Sequence, residues 1–553
     1  MTSRKMILGM QFRGGYGAEP GAWRLPGANL NSYTDMDQFV RYAQSAERGK
    51  VQLLFIADTP VLDMDLTHHA PRQAIDPLLL LTVLARETER IGLVTTASTT
   101  FNEPYNLARQ FKALDVISHG RAGWNAVTTS DPAAAANFGS PVPPRTEKYE
   151  RAHEVIQIVQ GLWGSWEKDA LLLDVEGKRY ADMDKIQPVN LQGKHAASRG
   201  PLPIPPSEQG QPVIFQAGGG SYGLEIAGRY ASGVYANPYT IEDARAQREA
   251  LRDAAKRAGR DPDEVKMLAG FMPTIAPSRQ AALQRRRFLD EVVDLDQRVR
   301  YLGAVIGLPL GPGQLDRPLT AEQLADAVPS PHDPRAARAL EVAREGWSLR
   351  DVIAHGVIDH HPVVAGTAAN VADHMQQWFE AGACDGFSIA LDGFDAFVDQ
   401  VVPILQERGL FHEEYEGPTL RENLGAHQQY GLDPRISQQA RPRPPRRSPP
   451  PVHRPAQPSR RAPGPRRCSA TPGRRRIPGC RGHCHGGRSP ARHHGQRLHL
   501  ASLAQPMVLV SLDNCSQLLA LVHRTGRFGL NILGAHQAEL ATALARSGPD
   551  KSA

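Results

Sequence analysis

Two short β-rich runs in this chain both stop in small polar residues, and one helix-length segment lies between them. Ile91 to Ala97 (IGLVTTA) ends at Ser98-Thr99-Thr100, Asn106 to Ser118 has helical period, and Arg121 to Trp124 runs into Asn125 and Thr128-Thr129. Strands alternating with amphipathic helices make a parallel α/β fold. In a parallel barrel the chemistry sits where strands end, so hydroxyls and an amide at two successive strand ends mark one polar site.

The same alternation continues along the chain. Candidate strands are Met6 to Gln11, Gln52 to Ala57, Ile91 to Ala97, Arg121 to Asn125, Val213 to Ala217, Gly233 to Ala236, Val265 to Phe271 and Gly386 to Ala390. Eight strands predict a closed (β/α)8 TIM barrel. Helices fit between them at Asp35 to Arg48, Pro77 to Thr88, Asn106 to Ile117, Glu147 to Trp163, Ile241 to Ala258, Ala368 to Glu380 and Phe394 to Arg408. Two stretches, Ser165 to Gln211 and Ala276 to His361, exceed ordinary loop length, and insertions of this kind shape or cover a site.

Charge separates the chain into parts. The 553 residues carry a net charge of +6. Between Pro434 and His499, however, stand 17 arginines and no lysine, aspartate or glutamate, which leaves 47 basic residues against 58 acidic ones elsewhere. The barrel is therefore acidic, and a nucleic-acid surface is not one of its properties. No run of about 18 apolar residues occurs and no signal-peptide h-region follows Met1, so a cytoplasmic protein without membrane contact is expected. Five cysteines, none before Cys384, give no disulfide framework.

The words around the paired strand ends are specific. Together with Ala22-Trp-Arg-Leu-Pro26, Ala46-Glu-Arg-Gly49, Leu54-Phe-Ile-Ala-Asp58 and Glu407 to Gly425, which holds Arg421-Glu422-Asn423, they resemble the flavin-dependent monooxygenases of the bacterial luciferase-like superfamily. The subgroup is that of nitrilotriacetate monooxygenase component A, dibenzothiophene-sulfone monooxygenase and pristinamycin IIA synthase. The resemblance implies a two-component enzyme. A separate reductase using NADH or NADPH delivers reduced FMN, O2 supplies one oxygen atom to a small organosulfur, amine polycarboxylate or related compound, and the enzyme is a homo-oligomer. Runner-up readings are a flavin- or deazaflavin-binding reductase or sensor on the same barrel, and a weakened scaffold protein.

Candidate cofactor-binding residues follow. Asp58 and Thr100 close successive strands, and with Asn125 they point to the barrel mouth, where the family lines its flavin pocket. Taken singly, Asp58 or Thr100 reads as a helix cap. Gln216-Ala-Gly-Gly-Gly-Ser-Tyr-Gly223 follows a strand and opens a helix, a place where main-chain N–H groups favour a phosphate. The resemblance puts Gly219 and Gly220 where the family has two serines. Tyr149 matches a family tyrosine near the flavin phosphate, and Arg145 stands four residues earlier where the family has histidine; both share one helical face if the helix starts early enough. No proton-transfer residue is nominated, and His360-His361 read as an exposed loop pair. No metal is expected: Cys480, His483, Cys484 and His485 lack the usual two-residue cysteine spacing.

Three domains result. Residues 1–433 form the barrel. Residues 434–501 form an Arg/Pro-rich linker without apolar period, expected to be disordered and similar in composition to GC-rich sequence read out of frame. Residues 502–553 resemble part of an FMN-binding flavin reductase with a split β-barrel. Such a fragment would leave strand edges open.

Overall fold

The computed structural model describes residues 4–12, 17, 19–62, 66–68, 71, 75–218, 220–331, 333–391, 393–433, 498–502 and 507–510. It divides into two compact units, 1–448 and 449–553.

In the first unit, β1 (Ile7–Gln11), β2 (Leu53–Ile56), β3 (Gly92–Ser98), β4 (Ala122–Val127), β5 (Val213–Ala217), β6 (Gly233–Ala236), β7 (Lys266–Ile275) and β8 (Gly386–Ala390) pair in parallel, each with the next. The pairing of β8 back onto β1 (Ile7 opposite Gly386, Gln11 opposite Ala390) closes the barrel. These are the eight strands expected from the sequence. Alternation along each strand sends Leu8, Met10, Leu54, Ile56 and Leu93 outward against the helices, where they join one large core. It sends Ile7, Leu53, Phe55, Val94, Val213, Phe215 and Leu268 inward.

The inward residues near the strand N-termini meet Leu420 of a short helix, Leu420–Asn423, and Leu424 just after it. A Cβ at Gly92 would overlap the Leu420 side chain, and one at Gly123 would stand 3.3 Å from it, so glycine at these strand positions makes room for a plug. The Arg421-Glu422-Asn423 words thus close the floor of the barrel, far from the strand ends that gather the polar residues.

Three elements depart from the sequence reading. Val363–Gly366 is a ninth parallel strand that pairs with Met272–Ile275, because β7 is ten residues long and overruns the barrel. The helix expected over 394–408 is interrupted by a π-helical turn at Phe397–Val401. Pro403 offers no N–H to the carbonyl four residues back, and the turn before it widens. The insertion 276–361 holds helices Arg279–Asp290, Leu295–Ile306, Ala321–Asp326, Ala336–Arg344 and Leu349–Ala354 around a core of its own, including Leu302, Ile306, Val342 and Val352. The insertion 165–211 carries two small antiparallel pairs, Leu171–Asp174 with Arg179–Ala181 and Leu191–Gln192 with Ala197–Ser198.

In the second unit, Leu498–Ser502 pairs antiparallel with Met507–Val510. The first of these strands begins inside the segment read as an unstructured linker. Residues 434–497, with their cysteine and histidine cluster, and most of the reductase-like segment lie outside the described residues. Among the described residues no helix is long and apolar enough to cross a membrane.

Candidate active site

The strand ends of β3 and β4 bind each other through the hydroxyls that mark them in the sequence. Ser98 Oγ and Thr129 Oγ1 are 2.7 Å apart. Thr129 N–H donates to Thr100 Oγ1 at 3.0 Å, and Thr100 N–H donates to Ser98 Oγ at 3.1 Å. From the helix Arg145–Trp163, Arg151 Nε donates to the carbonyls of Thr99 and Thr100, and Lys148 Nζ donates to Thr129 O and Ser130 Oγ. Much of this polar run therefore fixes the rim in place. Thr100, buried and accepting from Thr129, keeps its hydroxyl proton and one lone pair to offer.

Asn125 differs. It lies inside the barrel opposite Thr96, and its Nδ2 donates to Thr96 Oγ1 at 2.8 Å. Its Oδ1 is buried and has no donor among the described residues. A buried acceptor left unmade costs about 1–3 kcal/mol, so this oxygen is a place where an added donor would be favourable. Two residues beyond β2, Asp58 stands at the same mouth. Its carboxyl is raised to about 6, first by the protein around it and then by Asp76, although part of its surface still meets solvent.

A cationic corner forms beside them. Arg145 is the first residue of its helix, so Arg145 and Tyr149 do share a face. The Arg145 guanidinium lies 5.3 Å from the Tyr222 ring centroid, and Tyr149 stacks on Tyr222 with centroids 4.9 Å apart. Tyr222 belongs to Gly220–Tyr230, the helix that follows β5. Its first residue, Gly220, has φ +78°, a left-handed conformation that glycine adopts freely, and Arg145 Nη2 is 3.2 Å from where a Cβ would be. Arg145, Tyr149 and Gly220 therefore converge on one spot at a helix start. Gly219 lies outside the described residues.

Two groups at the mouth escaped the sequence reading. His361, far from being an exposed loop residue, is wholly buried, and its Nε2 is 2.8 Å from the Tyr235 hydroxyl. Only His360 is exposed, with Nε2 at 3.0 Å from Asn237 Nδ2. Tyr235 faces inward on β6, with its ring centroid 6.0 Å from that of Phe55. The signal for Tyr235 was the strand alternation from Gly233; nothing local pointed to His361. Next to it, Asp359 accepts from both Arg286 and Arg298, and Arg286 Nη1 reaches Glu19 Oε1 at 2.9 Å. Burial raises Glu19 to about 7. Burial pushes Asp359 the same way, but the two guanidinium groups outweigh it and hold that carboxyl below its usual range. This network pins the β1 loop and the 276–361 insertion to the end of β7.

Closed parallel strands, a polar rim at their C-terminal ends, an orphaned amide oxygen and a cationic corner define a (β/α)8-barrel enzyme. The chain belongs to the luciferase-like monooxygenase family, whose description matches residues 15–384. It is 39% identical over 441 residues to N-acetyl-S-(2-succino)cysteine monooxygenase of Bacillus subtilis, covering 77% of this chain and 98% of the relative. It is 36% identical over 443 residues to nitrilotriacetate monooxygenase component A of Aminobacter aminovorans, covering 77% and 97%. Among solved structures it is similar to EDTA monooxygenase from Chelativorans sp. BNC1, with TM-score 0.67, 32% identity and coverage of 78% of this chain and all of that one. A riboflavin lyase solved with modified FMN and riboflavin is 29% identical with TM-score 0.62, covering 77% and 96%.

Proposed function

We propose that this enzyme binds reduced FMN, delivered by a separate NAD(P)H-dependent flavin reductase, and oxygenates a small organosulfur compound or amine polycarboxylate. The observation that carries the reading is Asn125 Oδ1, a buried acceptor inside the barrel without a donor among the described residues. A flavin ring edge has N–H donors to offer it, while Arg145 and the main chain at Gly220 suit the phosphate, with Tyr149 and Tyr222 stacked alongside. When bound, reduced FMN supplies the activation of O2. The chain's own residues hold the ring, fix the phosphate and exclude water, and the Tyr235–His361 pair holds a proton at the mouth. In the same reading Asp58, half protonated near pH 6, sets how the rim is charged when flavin enters.

Relatives named for N-acetyl-S-(2-succino)cysteine, nitrilotriacetate and EDTA support a substrate that combines carboxylates with a thioether or tertiary amine. The test is an anaerobic titration of wild type and Asn125→Ala with reduced FMN. Loss of a charge-neutral hydrogen bond weakens binding by about 0.5–1.5 kcal/mol, up to roughly tenfold. Equal affinity in the two proteins would remove Asn125 from the flavin site.

A further inference from the structure

A polar cavity opens at the other end of the barrel. About 150 Å³ in volume, it is walled by Gln160, Tyr230, Ser232, Arg260, Glu264 and Arg421, with His427, Gln428 and Gln429 of the C-terminal strap as its lip. Ser232 precedes β6, Arg260 and Glu264 precede β7, and Arg421 lies in the floor helix, so the cavity belongs to the strand N-termini.

Its charges do not balance. Glu264 is taken by Arg260, whose Nε lies 3.3 Å away. Beneath the cavity, the fully buried Lys112 and Asp115 offset each other, and Asp115 already accepts from Ser207, Gln209 and the Ala122 N–H. Arg421 remains. It is 6% exposed and donates to neutral acceptors, the carbonyls of Gln211, Pro212 and His427 and Gln429 Oε1 at 3.3 Å, with no carboxylate within ion-pairing distance among the described residues. Burial lowers its pKa to about 10, against the opposing pull of Asp115, which lies beyond ion-pairing distance. Buried charges in folded proteins are usually paired directly, so a guanidinium with no ion-pairing carboxylate among the described residues, on the wall of a donor-rich cavity, has room for an anion.

We infer that this cavity is a binding site for a small inorganic oxyanion of the phosphate or sulfate type, held between Arg421 and the Arg260 wall and clamping the 426–433 strap to the underside of the barrel. The site lies at the opposite end of the strands from the flavin corner, so the ion is distinct from the cofactor's phosphate. It acts as an anchor for the strap, and through it for the plug that Leu420 and Leu424 form.

The test is hydrogen exchange of the full chain with inorganic phosphate or sulfate, against chloride at matched ionic strength. Three proteins are compared: wild type, Arg145→Ala and Gln429→Glu, the last placing a carboxylate on Arg421 where Gln429 Oε1 now sits. The oxyanion is expected to slow exchange in residues 421–433 at least severalfold, saturably, in wild type and in Arg145→Ala alike, and to have no such effect in Gln429→Glu. Absence of protection in wild type, equal protection in Gln429→Glu, or loss of the effect in Arg145→Ala would each overturn the site.

Discussion

A buried amide oxygen without a donor is expensive, and Asn125 carries that cost on a strand whose other inward residue below it is Gly123. The Asn125 amide nitrogen is used by Thr96, and on the proposed reading its oxygen awaits a ligand. The phosphate corner can be tested separately from the ring. Arg145→Ala should weaken reduced FMN by about 1.5–3 kcal/mol, roughly ten- to a hundredfold, through loss of a charge-assisted contact. Riboflavin affinity should hardly change. Equal losses for both flavins would place Arg145 on the ring or on the fold instead. For Asp58 the raised pKa predicts an inflection near pH 6 in FMN affinity that Asp58→Asn removes, read by titration across pH 5 to 8. At this scale the strand pattern and the family resemblance together put Asp58 and Thr100 just past two strand ends and Asn125 on the next strand, which is where the structure has them. His361 was not legible, since it reaches Tyr235 from 126 residues away through a loop without period. The role of Thr100 also needed structure, because only its contact with Thr129 shows how much of its hydrogen-bonding capacity the rim uses.

Elements were read best where a period could be counted. All eight barrel strands were visible, whereas the ninth strand at Val363–Gly366 was not, because its partner is the overhang of β7 and its own residues are only partly buried. The plug helix was invisible for a related reason: four residues have no measurable period, and their meaning comes from the Gly92 and Gly123 floor they fill. Leu420→Ala should therefore cost about 2–5 kcal/mol, the range of a buried leucine lost with partial collapse of its cavity, measured by urea unfolding. Flavin affinity of the folded fraction should stay as it is. A cost under 1 kcal/mol would mean the floor closes without the plug. A second element carries a pH signature. In the helix Ala368–Glu380, His374 stacks on Phe271 with centroids 5.0 Å apart, and burial lowers its pKa to about 4. Its folded pKa is below the unfolded value near 6.5, so below that pH the unfolded chain gains a proton the folded one refuses. Stability should fall as pH drops from about 6.5 to 4, by at most about 3 kcal/mol, and His374→Phe should flatten that slope. An unchanged slope would assign the acid sensitivity to other groups.

On the scale of the whole molecule, the described part of the barrel unit is bonded to itself up to its last residues. Tyr430 donates to Glu208 O at 2.6 Å, and Gln211 Nε2 donates to Gly431 O at 2.9 Å, so the chain is still bound to the floor two residues before Asp433. Truncation after Asp433 should leave flavin affinity and melting temperature nearly unchanged, by calorimetry and titration; insolubility of that protein would make the remaining residues part of the fold. The division of labour is the larger claim, and it rests on the site rather than on the barrel, which serves many chemistries. The measurement that tests it most directly is a single turnover in which chemically reduced FMN, bound to the enzyme without any reductase or nicotinamide, is mixed with ¹⁸O₂ and N-acetyl-S-(2-succino)cysteine, nitrilotriacetate or EDTA. The account predicts that one of these yields a product carrying one heavy oxygen atom, with little hydrogen peroxide released. Stoichiometric peroxide and unlabelled substrate across the set, from enzyme that binds reduced FMN tightly, would contradict it.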